Sequence, residues 1–411
     1  MIIWIIDHYS VPVKYYPLAR NTNFAKNLIK MGHEVIIFAA STVHNSEINL
    51  ITNGSRYIEM IDDGIKYVLV KCHQYKGNGI QRILNMYEFA TKLESVCDEF
   101  DRPDAIISTS MTLQACKKGI QIGQKYGCRK VAQITDLWPE TLIAYGIAKK
   151  NHPLIQLFRR IEKWIYINAD RIVFSMEGAY DYIIEQRWEK VVPRSKVEYI
   201  NNGIDIELFE YNKEHFQVND SDLEDESAFK IIYTGSIRKA NDVGFLIDVV
   251  KRLQDNGVKL LIWGSGDEES TLKKRIVDEG IGNVVFKGRV EKKYIPFIVS
   301  KATYNIVDGM DTPLLRYGIS ANKIFDYFAS GKPAITFINN ESNPIIKNDA
   351  GVAIDNSVEK AANDIKLLTT LDSKRYDEMC INAKKTAGTY DFKNLTKKLI
   401  DTIEKIDSSR A

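Results

Sequence analysis

The chain is short of everything that would mark a secreted, metal-centred or membrane-spanning protein. Its five cysteines (Cys72, Cys97, Cys116, Cys128 and Cys380) are odd in number and form no C-x-x-C pair. That spacing excludes a disulfide framework and predicts reduced, mostly buried thiols in a cytoplasmic protein. The six histidines show neither H-E-x-x-H nor any other ligand spacing, so no metal site and no cofactor are expected. Asp220-Ser-Asp222 has the form of a carboxylate pair for a cation, but it falls in an acidic loop rather than at a strand end. Long apolar runs are missing too. The opening run Ile2-Ile-Trp-Ile-Ile6 is too short for a signal or spanning helix, and no basic segment precedes it. A net charge of +2 gives no global field for nucleic acid. There is no G-x-S-x-G elbow, Walker lysine loop or dinucleotide fingerprint.

What is present is alternation. Short β-branched runs at 2–6, 34–39, 66–70, 104–108, 129–134 and 171–175 are separated by helical patterns at 20–31, 80–99, 112–126, 153–167 and 178–187. A second series follows, with strands at 230–234, 258–263, 283–287, 303–307 and 333–337 and helices at 241–255, 268–279, 293–299 and 322–330. Such alternation predicts βαβ units and parallel sheets covered on both faces. With 411 residues, too many for one comfortable core, the reading is two Rossmann-like doubly wound α/β domains, 1–202 and 203–390. The acidic segment 207–227 lacks periodicity and reads as a solvated loop. Ligands of such domains bind at the carboxyl ends of strands, which places the expected active cleft between the two.

The stretch Ser320-Ala-Asn-Lys-Ile-Phe-Asp-Tyr-Phe-Ala-Ser-Gly-Lys-Pro333 carries the chemistry most directly. Ser320 is read as the N-cap of a helix whose first turn holds Asn322 and Lys323. The helix N-terminus and the Lys323 ammonium together suit an anion, most naturally a phosphate. Asp326 lies one turn on, where it can accept from a sugar hydroxyl; the same residues also fit a capped surface helix with a Lys323–Asp326 ion pair. At another strand end, Thr234-Gly-Ser-Ile-Arg-Lys-Ala-Asn241 pairs a close-approach glycine, Gly235, with Arg238 and Lys239 for phosphate oxygens. Ile262-Trp-Gly-Ser-Gly-Asp-Glu268 is read as a tight strand-to-helix turn. Val285-Phe-Lys-Gly-Arg-Val290 offers free backbone that can read a base edge or simply close a turn. In the first half, Asp136 and Glu140 follow a strand, with Trp138 and Pro139 as an apolar wall or a helix start. Arg20 opens the first helix as an anion contact or a surface residue. The segment 148–168 alternates Lys149, Lys150, Arg159, Arg160 and Lys163 with apolar residues, which suits either an anionic membrane surface or packing on its own sheet.

Taken together, Gly32-His-Glu-Val35, Asp136-Leu-Trp-Pro-Glu140 with Tyr145-Gly146, Ala169-Asp-Arg-Ile172, Asn202-Gly-Ile-Asp205, Thr234-Gly-Ser236, Phe286-Lys-Gly-Arg-Val290 and the 320–333 stretch resemble the family-4 retaining glycosyltransferases. The likeness is to the GT-B fold, two Rossmann-like domains facing across a cleft, and above all to members that build bacterial capsules and O-antigens. The resemblance implies a nucleotide-sugar donor, commonly a UDP-hexose or UDP-N-acetylhexosamine, on the second domain. It implies a saccharide or lipid-linked oligosaccharide acceptor on the first. It gives Lys323, the Ser320, Ala321 and Asn322 backbone and Arg238 or Lys239 to the diphosphate, with Gly235 and Ser236 beside them. It gives Asp326 to the ribose, the Gly288, Arg289 and Val290 backbone to the base, and Asp136 or Glu140 to the acceptor. Arg20 matches an arginine that follows the first loop, and a final helix, about 391–411, is expected to return to the first domain. Peripheral contact with the cytoplasmic face of the membrane is a further expectation.

Several positions depart from the broader family. Its glutamate pair is Gly318 and Asp326 here; the histidine before Asp136 is Thr135; and Val11-Pro-Val-Lys-Tyr-Tyr-Pro17 replaces a Gly-Gly loop. Ser236 and Asn241 stand where an arginine and a lysine are usual. The departures leave two alternatives, a catalytically silent nucleotide-sugar-binding partner subunit and a nucleotide-sugar epimerase on the same fold.

Overall fold

The computed structural model describes residues 1–15, 19–44, 46–77, 79–110, 112–307 and 312–406. Tyr16 and Pro17 of the first loop, and the chain after Ile406, lie outside the described residues. The chain divides into two compact units, residues 1–201 with 392–411, and residues 202–391.

Unit 1 is built on eight strands: β1 (Ile2–Ile6), β2 (Glu34–Ala40), β3 (Tyr57–Asp62), β4 (Ile65–Val70), β5 (Ala105–Thr109), β6 (Arg129–Ile134), β7 (Arg171–Phe174) and β8 (Val197–Tyr199). Their order across the sheet is β3-β4-β2-β1-β5-β6-β7-β8, parallel throughout except for the β3–β4 pair. Central strands such as β1 and β5 are apolar along most of their length because helices cover both faces. The helices are α1 (Ala19–Lys30), α2 (Ile80–Cys97), α3 (Leu113–Tyr126), α4 (Glu140–Ala144), α5 (Pro153–Asn168) and α6 (Ala179–Glu185). Trp4, Phe38, Val68, Phe89 and Ile106 form a central part of the core. At about 1.5–3 kcal/mol for each such side chain, their burial is a main source of stability.

Unit 2 carries β9 (Phe229–Thr234), β10 (Val258–Trp263), β11 (Val284–Gly288), β12 (Tyr304–Ile306), β13 (Ala334–Thr336) and β14 (Gly351–Ala353). They form an all-parallel sheet ordered β11-β10-β9-β12-β13-β14. The order reverses between β9 and β12, which makes that point the crevice where doubly wound sheets bind ligands. Its helices are α7 (Ile206–His215), α8 (Ser221–Glu224), α9 (Val243–Lys251), α10 (Glu269–Asp278), α11 (Ile295–Ser300), α12 (Asn322–Ser330), α13 (Pro344–Lys347), α14 (Val358–Leu368) and α15 (Ser373–Thr389). The last helix, α16 (Phe392–Glu404), belongs to unit 1, where it packs on α1 and Phe392 meets Phe24 edge-on at 5.4 Å.

Two expectations change. The strand at 66–70 has an antiparallel partner, β3, joined to it by Asp63-Gly64 with φ of 52° and 76°. That Asp-Gly pair is a hairpin signal, with φ positive at both residues as a tight two-residue turn requires. The acidic segment is not a loop but α7 and α8, capped by Asp205 accepting from the Leu208 amide and by Asp220 accepting from the Asp222 and Leu223 amides. Nor is it simply solvated. Lys287 donates to both Asp220 oxygens and to Asp222 at 2.7 Å, and Lys259 reaches Asp222 and Asp225. A lysine from β11 therefore fills the place where the Asp220-Ser-Asp222 pattern offered a cation site.

Lys287→Met leaves Asp220 without its ammonium partner, and Lys259 alone to serve Asp222. The side chains keep 14–24% exposure, so the loss is set at about 2 kcal/mol, below the 3–5 of a fully buried pair. The hydrogen bond from Lys287 is the main reason the Asp222 carboxyl lies below its ordinary range. Its contribution is thus complete above the unfolded carboxylate range, near pH 4, and fades as pH falls through the lower folded value. Urea melts of both proteins should differ at pH 7 and converge toward pH 3.

Candidate functional site

The loops at the carboxyl ends of β9, β10 and β11 are laced together by backbone hydrogen bonds. The Gly235 amide donates to the Trp263 carbonyl at 3.0 Å, Ile237 to Ser265 at 3.0 Å, and Gly264 to Gly288 at 2.9 Å. A β-carbon on Gly264 would lie 1.8 Å from the Gly235 oxygen, and one on Gly266 would lie 2.0 Å from the Ile237 oxygen. The Trp263-Gly-Ser-Gly266 turn is thus a tight connection, as its sequence suggests, but its glycines serve the neighbouring loop as well.

Into this cluster comes the first turn of α12. The N-cap is Ala321, not Ser320, and no side chain caps the helix. The Ser320 carbonyl instead accepts from the Asn202 amide side chain at 2.7 Å. The Lys323 ammonium lies 4.3 Å from the centre of the Tyr233 ring and 3.3 Å from its hydroxyl. That hydroxyl donates to the Ser236 carbonyl at 2.8 Å, which ties the lysine to the Gly235 loop through one aromatic side chain. A β-carbon at 235 would come within 2.8 Å of the lysine nitrogen. Ser236, Arg238, Lys239 and Asn322 are exposed, and Arg238 and Lys239 form no ion pair among the described residues.

Asp326 is 8% exposed and accepts no hydrogen bond from the described residues. Burial raises its carboxyl above the ordinary range, with the Lys292 ammonium opposing. The surface Lys323–Asp326 ion pair is therefore absent: the lysine rests on Tyr233 and the acid points inward. At the end of β11, Gly288 has a φ of 78°, Arg289 is exposed, and Val290 packs beside Leu261 and Trp263.

In unit 1, Asp136 follows β6 and keeps an exposed surface, while crowding by surrounding protein raises its carboxyl and a bond to Thr135 opposes that shift. Glu140 has a different setting from the one its position suggested. It opens α4 and is bonded at 2.6 Å to Arg159, a residue of α5 that is itself nearly buried and also bonds Gln186. Arg20 likewise works on its own backbone, donating to the Asn201 carbonyl at 2.6 Å and the Ile200 carbonyl at 2.8 Å. Desolvation draws its guanidinium down to about 9. Most of the apolar stripe of α5, including Ile155, Phe158 and Ile165, is buried in unit 1.

Two family profiles cover most of the chain, Glycosyltransferase Family 4 over residues 20–208 and Glycosyl transferases group 1 over residues 228–370. The chain belongs to the family-4 GT-B glycosyltransferases. WcaI of Escherichia coli (strain K12), named as a colanic acid biosynthesis glycosyl transferase, is 24% identical over 270 residues, 63% of this chain and 64% of WcaI. The chain spans only about three-fifths of the length of the curated relatives it matches, 62% and 64%. Among solved structures, sucrose-phosphate synthase of Thermosynechococcus elongatus superposes over 100% of both chains with a TM-score of 0.74 at 14% identity. HepE of Anabaena, solved in complex with UDP-glucose, gives 0.63 at 13% identity over 98% of this chain and 100% of its own. These two likenesses show the fold.

Against that family, the departure at Gly318 is built into the backbone of this GT-B chain. Its φ of 118° and ψ of 173° belong to a region essentially reserved for glycine. Tyr233, Asn202, Gly264 and Gly266 were not singled out from sequence as site residues. Their roles depend on which loop lies opposite, and only the strand-Gly-x-Gly spacing of 263–266 hinted at it.

Asp326→Asn provides a test of the buried acid. Above about pH 4 the unfolded carboxyl ionises freely while the folded one resists, so the wild type loses stability as pH rises through that window and the amide does not. The variant should melt higher than wild type at pH 7 and level with it near pH 3; equal melting at pH 7 would contradict an uncompensated Asp326.

Proposed function

We propose that the protein is a retaining glycosyltransferase that moves a sugar from a UDP-sugar, a hexose or N-acetylhexosamine donor, to a lipid-linked saccharide acceptor in cell-surface polysaccharide synthesis of the capsule or O-antigen kind. The observation that carries this reading is the α12 N-terminus without a side-chain cap, with Lys323 beside Gly235 at the β9–β12 crossover. A leaving diphosphate gains charge as the glycosidic bond breaks, and preorganised donors aimed at that charge lower the barrier. Lys323, Arg238 and the Ser320, Ala321 and Asn322 backbone fill that role, with Lys239 and Ser236 at the loop's edge. Asp326 accepts from the ribose, which would supply its missing hydrogen bond, and the Gly288, Arg289 and Val290 backbone meets the base. A leaving phosphate oxygen takes the proton of the acceptor hydroxyl on the same face, so the configuration is retained. Asp136 orients the acceptor. Glu140 and Arg20 act behind it, through Arg159 and the 200–201 backbone. The charge is met by lysine and arginine, so the reaction is proposed to need no metal. The UDP-glucose complex of HepE supports the choice of base, and the naming of WcaI supports the polysaccharide setting.

A silent, nucleotide-sugar-binding role remains the second reading, favoured by the glycine-only backbone at 318. Calorimetry with UDP, GDP and their sugar conjugates, with and without magnesium, separates the two when paired with turnover. UDP should bind without metal, and Lys323→Ala should weaken it by 10- to 100-fold, about 1.5–3 kcal/mol for a charge-assisted contact. Tight binding with no transfer to any lipid-linked acceptor would favour the silent role. No binding of any nucleotide by folded protein would end both.

Peripheral membrane contact is part of the proposal, narrowed to one end of α5. Tyr145, Ile147, Leu154 and Leu157 are exposed, Ile147 at 70%, beside exposed Lys149, Lys150 and Arg160. No helix among the described residues is long and apolar enough to cross a membrane. Apolar side chains among cations suit an anionic lipid surface. Phosphatidylglycerol vesicles should carry the wild type upward in flotation, phosphatidylcholine vesicles should not, and Ile147→Ser with Leu157→Ser should abolish the effect. A wild type that stays at the bottom with both lipids removes membrane contact from the proposal.

A further inference from the structure

Unit 2 has a second recess at the carboxyl edge of its sheet, displaced from the crossover. A cavity of about 670 Å³ opens at the ends of β13 and β14. Its far wall is the carboxyl edge of β13 and β14, one to two strand spacings from β12, and its near wall is the turn at Thr312, Pro313, Leu315 and Arg316 that follows β12. The β11 end, proposed above to meet the base, is on the opposite wing. Its volume is within the range of small-molecule sites, about 300–1,000 Å³.

The lining is unlike that of the phosphate site. Phe337, Ala353 and Ile354 give it an apolar floor, and its rim includes Asn340, Asn356 and Asp364. The Asn340 amide donates to the Leu315 carbonyl at 3.0 Å, which fixes the side chain. Its Oδ1 is then left buried with no hydrogen-bond partner among the described residues. That oxygen is shielded from solvent, so the polar groups open to a ligand are those of Asn339, Asn356, Asp355 and Asp364. The carboxylates are fixed as well: Asp364 accepts from the Asp355 amide at 3.0 Å, and Asp355 from the Ser357 amide at 2.8 Å. Among the described residues Arg316 is the one cation of the lining, against two carboxylates, of which Asp355 has Lys360 at 3.4 Å, so the lining carries no excess positive charge. A diphosphate needs the opposite balance. A neutral polyhydroxyl molecule meets the lining well, since each hydroxyl both donates and accepts while its C–H face can cover the apolar floor.

We propose that this cavity binds a neutral saccharide at a site separate from the nucleotide-sugar site. The ligand is either a free sugar or a stretch of a saccharide chain, and the chemistry recognised is the same. The inference rests on the cavity alone and stands whether or not Lys323 binds phosphate.

Saturation-transfer NMR on the full chain tests it, with methyl glucoside, methyl galactoside, N-acetylglucosamine and linear tri- and tetrasaccharides, and with no nucleotide present. Ala353→Leu fills the floor, and Asn356→Ala trims an exposed rim residue; neither touches the hydrogen bond that Asn340 makes to Leu315. Transfer should appear for wild type and Lys323→Ala alike. It should weaken about tenfold in Ala353→Leu and Asn356→Ala, with unchanged melting temperature. Affinity that rises with chain length assigns the site to a polymer, and equal affinity for a monosaccharide assigns it to a free sugar; either outcome supports the proposal. Transfer lost in Lys323→Ala but kept in Ala353→Leu would put the sugar in the nucleotide-sugar site and overturn it. So would the absence of transfer from every saccharide.

Discussion

The Gly235 carbonyl oxygen lies where a β-carbon on Gly264 would have to be, and much of the geometry of unit 2 follows from that contact. Because two backbones touch there with no side chain between them, the ends of β9 and β10 are held in one fixed relation. Strand β11 joins through the bond from Gly264 to Gly288. Tyr233, on the last turn of the pleat before this loop, then has a fixed ring position, and its hydroxyl is bonded to Ser236. Lys323 comes from a different element altogether and finds that ring. The site is therefore carried by backbone contacts first, by one aromatic ring second, and by charge only last.

Two lysines of this unit illustrate how the partner decides the role. Lys287 is bonded to carboxylates on every side that the structure shows, and its charge is used in holding α8 to the sheet. Lys323 is seen against a phenol ring, a contact worth about 0.5–2 kcal/mol that orients an ammonium without cancelling its charge. The first is an internal counter-ion, and the second is oriented by an aromatic ring at the crossover. Sequence alone puts Lys287 at a strand end and Lys323 in the first turn of a helix, and shows the partner of neither.

The parallel strands of both units were legible because buried strands in such sheets are apolar runs bounded by glycine, and Gly32 and Gly331 end helices as their positions suggest. What was not legible depended on a partner far away in sequence. The acidic segment became helix because Asp205 and Asp220 cap it and because β10 and β11 supply lysines to it. Glu140 after a strand and Arg20 at the start of the first helix read as ligand contacts, but Arg159 and the 200–201 carbonyls engage them. Ser320 had the right residue type for an N-cap, yet α12 starts two residues later and the serine carbonyl is used by Asn202. Residue type and spacing suggest where a site lies; which of its groups the fold already engages is settled by tertiary contacts.

Gly318 shows how a sequence difference can become hard to reverse. Where the wider family has a glutamate, this chain has a residue whose φ of 118° with extended ψ is open to glycine and to little else. An acid placed at 318 with the loop path unchanged would be a strained residue. An acid there is compatible with the fold only if the neighbouring turn, Pro313–Tyr317, takes a different path in the same step. What residue 318 can be is set by the path of the main chain, so it can change only together with its neighbours.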